Sequence, residues 1–204
     1  MTNPLIPQTK LDAVNQMLAS IGQTPLNTLN TAGIRDAAIA ELTLDNTLRE
    51  ILNRGWSFNT DRCFELTKEV GDEYLVPSDA LTIDPSEGWR YDFVERDDAG
   101  TRKMWDRENN TFTITDSPIE FDIIRAMDFE TVPQAMRGYV AIRAARIFQA
   151  NVIGSDIIFK YTQLHEDEAL FALKKTERRN KDRNVFRPGT ESNKIVNRYR
   201  NPIR

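Results

Sequence analysis

One cysteine and one histidine in 204 residues set the first limits. Cys63 has no partner for an internal disulfide, and His165 alone leaves no zinc constellation. No apolar run approaches the roughly 18 residues that span a bilayer. Phosphate loop, dinucleotide fingerprint, Gly-x-Ser-x-Gly elbow and metal-binding His pair are all missing, so nothing calls for a cofactor or a metal. The opening residues, Met1 to Pro7, have neither the basic stretch nor the long apolar core of a signal peptide, which predicts a protein made and kept in a cytoplasm. There is no internal repeat and no low-complexity block.

What is present describes a soluble globular chain. Hydrophobic residues make up 40% and charged residues 28%, enough to build a core and too apolar for disorder. The length fits one domain, or one domain with an insertion. The net charge of −4 is unevenly placed: from Lys174 to Arg204 eleven basic residues face three acidic ones, a net +8, which leaves −12 for the rest. An acidic body with a basic end repels copies of itself broadly, yet offers each end an acidic surface to lie on.

Helical periodicity opens the chain. Thr9 is placed as an N-cap, Leu11, Val14, Leu18 and Ile21 follow at helical spacing, Gly22 stands at the C′ position and Pro25 blocks continuation. The spacing predicts a second helix from near Thr31 to Arg54, with Ile34, Ala38, Leu42, Asp45, Leu48 and Leu52 on its stripe and Gly55 ending it. Asp45/Arg49 and Glu50/Arg54 are i,i+4 pairs in the favourable order.

From Trp56 to Met127 the pattern turns to short alternating runs and turn residues. Strands are expected at Cys63–Leu66, Tyr74–Val76, Leu81–Ile83, Tyr91–Glu95, Arg102–Trp105, Thr111–Thr115 and Glu120–Arg125. Asp97-Asp98-Ala99-Gly100 and Glu108-Asn109-Asn110 are expected hairpin turns, and the turn from Pro85 to Gly88 is expected to separate another pair. Helical spacing resumes at Pro133, with Met136, Val140, Ala144, Ile147 and Asn151 on one face and Gly154 at the end. Ser155-Asp156 then caps a fourth helix to about Arg179, whose apolar positions are Ile157, Tyr161, Leu164 and Phe171. Its acids precede its bases, which suits the helix dipole.

The expected fold is therefore α+β: an antiparallel bundle of four helices, an inserted antiparallel β-sheet, and an extended C-terminal arm. Residues 1–55 and 131–179 form the two halves of the bundle, 56–130 the β-rich insertion and 180–204 the basic arm. Apolar residues interrupt the arm at Val185, Phe186, Ile195, Val196, Tyr199 and Ile203, as anchors that order on a partner would. Arg187, Lys194, Arg198, Arg200 and Arg204 can neutralise DNA phosphates or dock on an acidic protein; the interspersed aliphatics favour the protein.

Chemical readings of single residues are weaker than bland ones. His165 beside carboxylates has the makings of a general base, but it has no nucleophile in a recognisable setting, so a helix-surface histidine in an acidic patch is the better reading. Paired carboxylates suited to glycoside hydrolysis abound in any acidic chain, and nothing marks one pair. Cys63 follows Arg62, a setting for a reactive thiol, but a buried strand cysteine is the commoner case. Trp56 and Phe58 are expected to pin the helix-to-sheet junction, and Trp89, Trp105 and Phe112 to lie in the sheet region as rim contacts.

Two short motifs carry a resemblance. Val14 to Gly22 reads Val-Asn-x-x-Leu-Ala-Ser-Ile-Gly with Pro25 just beyond, and Arg54 to Asn59 reads Arg-Gly-Trp-x-Phe-Asn. Further along come Ile123-Ile124-Arg125, Val132-Pro133 and Ala144-Ala145-Arg146-Ile147-Phe148. In this order, over Leu11 to Phe148, the chain resembles the tubular tail protein A family of short-tailed bacteriophages. The resemblance implies a structural virion protein without catalysis, a head-to-tail adaptor in a ring of twelve copies around the DNA channel. It also implies as partners the portal, the tail nozzle (tubular protein B), the tail fibre and other copies of the chain, while DNA passes without sequence-specific binding. On this reading Phe186, Arg187, Lys194, Ile195, Arg198, Tyr199, Arg200, Ile203 and Arg204 contact the portal or a neighbouring subunit, and Asp98, Asn109 and Asn110 contact nozzle or fibre. The basic arm is where the chain departs most from the family pattern. Two rival functions stay in view: a DNA-contacting accessory protein using that arm, and a virion-borne polysaccharide or cell-wall hydrolase.

Overall fold

The structure is a computed structural model that describes residues 7–29, 34–88, 90–152 and 156–180, with side chains in the last stretch from 163 to 179. Helices α1 (Lys10–Ser20) and α2 (Arg35–Leu52) come first, then seven short strands, then α3 (Gln134–Val152) and α4 (Asp156–Asn180). The four helices run alternately up and down. The start of α1 meets the start of α3 through Arg137, whose guanidinium donates to the Gln8 carbonyl, and their ends meet where Gln149 donates to Ser20. Lys10 reaches Glu41 and Asp45, so α2 runs against α1. Glu177 near the end of α4 accepts from Ser57 just past α2, so α2 and α4 run the same way.

Local chemistry explains the ends of α1. The Thr9 hydroxyl accepts from the Asp12 N–H at 3.1 Å while the Asp12 carboxylate accepts from the Thr9 N–H at 3.0 Å, a reciprocal cap. At the other end Gly22 has φ +77°, and its N–H and that of Gln23 close on the carbonyls of Ala19 and Leu18. Only glycine takes that φ without strain, so Gly22 stops the helix as the spacing predicts.

Helix α2 begins at Arg35, later than expected, and residues 30–33 lie outside the described residues. Its buried face also differs from the predicted stripe. Ala37, Ala40, Leu44, Thr47, Leu48, Ile51 and Leu52 face the core, whereas Ile34, Ala38 and Leu42 face out. Ala37 and Ala40 are fully buried in the core where α1 and α3 pack on α2, and the fit of that core sets the helix rotation in place of the bulkier stripe. Asp45 is bound by Lys10, and Arg49 bonds Asn46 in place of the i,i+4 pair expected; Glu50 and Arg54 do pair, at 3.2 Å.

On α3, Met136, Val140 and Ala144 are buried as predicted, with Tyr139, Ala141 and Phe148 beside them, while Asn151 is exposed. Pro133 sits one place earlier than expected: its carbonyl accepts the first helical bond, from Arg137. The rotation of α4 is corrected too. Leu164 and Phe171 are exposed, and Glu166, Leu173 and Glu177 are buried against the bundle. Two carboxylates on an inner face hide the pattern from any hydrophobicity count. They are stable there because Arg143 and Arg146 hold Glu166, and Ser57 donates twice to Glu177. Gly154 and Ser155 lie outside the described residues, as do the side chains of Ile157 and Tyr161.

The strands are β1 (Thr60–Glu65), β2 (Lys68–Glu69), β3 (Glu73–Tyr74), β4 (Ala80–Pro85), β5 (Phe93–Asp98), β6 (Thr101–Asp106) and β7 (Glu120–Arg125). All pair antiparallel, but in three small sheets: β1-β7-β4, the hairpin β2-β3 and the hairpin β5-β6. The segment 85–88 therefore joins two sheets and does not separate a hydrogen-bonded pair. The strand expected at Thr111–Thr115 is reduced to one bridge, Asp106 to Thr111, with Ile114 buried as an anchor. Cys63 sits at a bulge of β1 with φ 52° and is exposed, so the buried-cysteine reading is corrected.

Two clusters of buried side chains result. One unites the helices with Trp56, Phe129 and Val132; the other joins Tyr74, Ile83, Phe93, Met104, Ile119, Phe121 and Ile123 from the strands.

Candidate interaction surfaces

The junction between helices and sheet is built from the motif around Trp56. Gly55, with φ +71°, turns the chain out of α2, and a Cβ there would lie 3.0 Å from Ile124 Cδ1. Trp56 is buried, and its indole N–H donates to the Ile51 carbonyl at 2.8 Å. Asn59 is buried as well: its amide donates to the carbonyls of Leu52 and Arg125, and its oxygen accepts from the Trp56 N–H. Trp56 and Phe58 thus serve packing, as the sequence predicts.

Beside this junction a cleft of about 960 Å³ opens between α2, the ends of β1 and β7 and the segment 126–131. Leu48, Leu52, Phe58, Met127 and Phe129 are its apolar lining, and Asp45, Asp61, Asp79, Asp128 and Glu130 its acids. Lys10 and Arg125 are each held by two carboxylates: Glu41 and Asp45 for the first, Asp61 and Asp79 for the second. Burial pulls the Lys10 ammonium down, but its hydrogen bonds to Asp45 and Glu41 outweigh that and raise its pKa. For Arg125 the bond to Asp61 is the main cause of a rise. With Arg49 the lining has three cations against five acids, so the cleft keeps a net negative character.

Carboxylate acidity points to structure. Hydrogen bonds from Thr9 lower the Asp12 pKa. Burial raises Asp106, but bonds from the Asn109 side chain and the Asn109 and Glu108 N–H groups prevail and lower it. Neither is a raised, acid-donating carboxyl. The Cys63 thiol is pushed up, first by its hydrogen bond to Glu120, the opposite of thiolate activation. His165 is exposed at the rim of a hollow of about 220 Å³ lined by Gln16, Ser20, Ile142, Ala145, Arg146 and Gln149. The Ser20 hydroxyl donates to the Met17 carbonyl, a helix-surface arrangement. Among the described residues no cluster of three or more His, Cys, Asp or Glu can hold a metal ion.

The predicted contact residues fall apart in space. Asp98 closes one end of the β5-β6 ladder and pairs with Lys103 at 2.7 Å. Asn109 and Asn110 follow Asp106 at the other end, where Asn109 bonds the Asp106 carboxylate and Asn110 has φ 54°. Five residue steps, about 17 Å, separate the two ends. On the hairpin, Trp105 packs edge-on against Phe112 at 4.6 Å with Arg96 over its ring at 4.5 Å. Phe186, Arg187, Lys194, Ile195, Arg198, Tyr199, Arg200, Ile203, Arg204 and Trp89 lie outside the described residues.

The sequence reading missed two outward apolar faces, Ile39 and Leu42 on α2 and Leu164 and Phe171 on α4. The signal for them is a second apolar stripe on the same helix.

Apolar side chains stand on helix surfaces, the cleft is charged, and the carboxylates with shifted acidity are spent on hydrogen bonds. A family model for "Tail tubular protein" matches residues 11–183. A curated relative, the Tail tubular protein A of Klebsiella phage KP34, is 27% identical over 150 residues, 72% of this chain and 75% of the relative. The chain belongs to the tail tubular protein family and is a structural protein of a phage tail.

Proposed function

We propose that the chain forms the adaptor ring joining the portal to the tail nozzle, twelve copies around the channel through which the genome leaves the head. Family membership across residues 11–183 is the observation that carries this reading, together with a relative whose name is Tail tubular protein A. The mechanism is geometric. A ring needs heterologous contacts whose rotation closes, and many modest contacts per subunit then add up over the circle. The basic arm meets the portal or a neighbouring subunit. The sheets face nozzle and fibre, with Asp98 and the pair Asn109–Asn110 as opposite ends of that face. No catalytic step is required, and DNA is a passenger in the channel.

The test is the mass and shape of the protein alone and with purified portal. A twelve-fold ring seated on the portal is expected. A chain that sediments apart from portal at every concentration overturns the adaptor reading. Sustained turnover of peptidoglycan or polysaccharide, lost on changing one Asp or Glu, would instead establish the hydrolase.

A further inference from the structure

The cleft beside the helix-to-sheet junction has a partly apolar floor, where Phe58 and Met127 are only half-buried. At about 960 Å³ it lies at the upper end of the range that holds a ligand, room for a peptide segment of several residues. Its acids are not all spent. Asp45 is bound by Lys10, and Asp61 and Asp79 by Arg125, whereas Asp128 and Glu130 are exposed and make no ion pair among the described residues. The Glu130 carboxylate accepts the Lys10 backbone N–H at 3.0 Å. Arg49, the third cation of the lining, donates to Asn46 on its own helix. Helix α4 brings the chain to the level of this cleft. Glu177 accepts from the N–H and the hydroxyl of Ser57, both at 2.8 Å, and the next two residues, Phe58 and Asn59, line the cleft. The helix ends shortly after, at Asn180. It does so on the other flank of α2. Glu50 of α2 turns to Arg143, which also holds Glu166 of α4. Asp45, Leu48, Arg49 and Leu52 turn to the cleft, about 100–160° around the helix from Glu50.

We infer that the cleft of one copy receives the stretch from Lys194 to Arg204 of the next. The inference rests on the ring reading and names the contact that closes it. Composition selects the occupant. The stretch has four bases, Lys194, Arg198, Arg200 and Arg204, and no acid, with Ile195, Tyr199 and Ile203 set four residues apart. Apolar side chains cover the floor at Phe58 and Met127, and the bases meet Asp128 and Glu130. Reach is sufficient. The 13 residues from Lys181 to Asn193 extend to at most about 45 Å, several times the 10–12 Å thickness of a helix. Position selects the next copy over the chain's own cleft. The arm leaves on the α4 flank of α2, the cleft lies on the other flank, and both stand at the level of residues 57–59. Rotation about an axis along the bundle keeps that level and turns the one flank of a copy toward the opposite flank of its neighbour. Each copy then gives one arm and takes one, a heterologous contact of the kind that closes a ring.

Cross-linking tests it on the full chain with Cys63→Ser, which removes the exposed native thiol. Ala126→Cys marks the cleft and Asn197→Cys the middle of the stretch. Ala126 is exposed, so thermal melts should match the parent. In tails assembled from chains with both substitutions, a short bismaleimide should give a ladder of linked oligomers on a denaturing gel. The two single variants mixed should stop at the dimer, and each alone should stay monomeric. Charge exchange gives a second readout. Asp128→Lys or Arg198→Glu added alone should lose most of the ladder, and the two together should regain it. Links between positions 126 and 197 within one chain, or from 197 to portal alone, would overturn this contact and leave the ring standing. Rings imaged in tails that give no ladder would do the same. Tails imaged without any ring of this chain would overturn the ring reading instead.

Discussion

Asn59 holds the helical and strand regions to each other by three hydrogen bonds at 2.8 to 3.0 Å, to Trp56, Leu52 and Arg125. Leu52 ends α2 and Arg125 ends β7, so one buried amide fixes the angle at which the chain leaves the bundle. Asn59→Leu keeps the bulk and takes the amide from the Trp56 N–H and the Arg125 carbonyl, while the Leu52 carbonyl keeps the Gly55 N–H, and the loss should cost about 1–3 kcal/mol for each group left buried and unpaired. Urea unfolding checks this; a midpoint equal to the parent would show that water replaces the amide. Asp106 makes a second residue-scale case. Its carboxylate gathers the turn at 108–109 with three bonds, and its pKa lies below the ordinary 3.8. A folded pKa lowered in this way adds stability that is complete above the unfolded value and is lost as the pH falls through the folded one. Asp106→Ala should therefore be less stable than the parent at pH 7, with the gap narrowing below about pH 4. A gap that is constant from pH 7 to pH 3 would assign the effect to packing. The motif Arg54 to Asn59 was visible in the sequence, but the role of its asparagine was not, because the partner carbonyl on Arg125 is 66 residues away.

At the scale of elements, α2 shows what periodicity reveals and what it leaves open. The helix itself, its Gly55 stop and the central strand β7 were legible, since each carries a strong local signal. The rotation of α2 was not, because apolar residues recur on two faces. Ala37, Ala40, Leu44 and Ile51 fill the core, whereas Ala38, Ile39 and Leu42 face out, and only the packing of the other helices distinguishes them. Helix α4 hides its inner face more thoroughly, since Glu166 is buried between Arg143 and Arg146. No hydropathy pattern announces a carboxylate whose partners come from another helix. The pair Leu48 and Leu42 separates the two faces. Leu48→Ala removes a buried side chain and should cost about 2–5 kcal/mol. Leu42→Ala removes an exposed one and should stay within about 0.5 kcal/mol of the parent, as surface substitutions do. Thermal melts of both variants decide it: equal losses would return Leu42 to the core.

For the whole molecule the uneven charge is the feature that the sequence displayed most openly. Both clusters of buried side chains are built from residues between Ala13 and Leu173, and the acids of the cleft lie within that span. The basic end carries the apolar residues Phe186, Tyr199 and Ile203 beyond it, the anchors of the proposed contact. Chain that orders on a partner loses entropy in doing so, and the return comes from apolar burial and from charge pairing with an acidic surface. Ending the chain after Asn180 should therefore leave the melting temperature within error of the full chain and weaken its capture by portal or by other copies. Salt distinguishes the two sources of that return. Exposed charge pairs are screened over about 8–10 Å at physiological ionic strength, whereas buried anchors are not. Capture of the full chain should fall only partly as salt rises, and co-sedimentation with portal across a salt series measures both effects. A shortened chain that assembles as well as the full one would make residues 181–204 a solvated appendage. The whole of the contact would then fall to the faces of the bundle and the sheets.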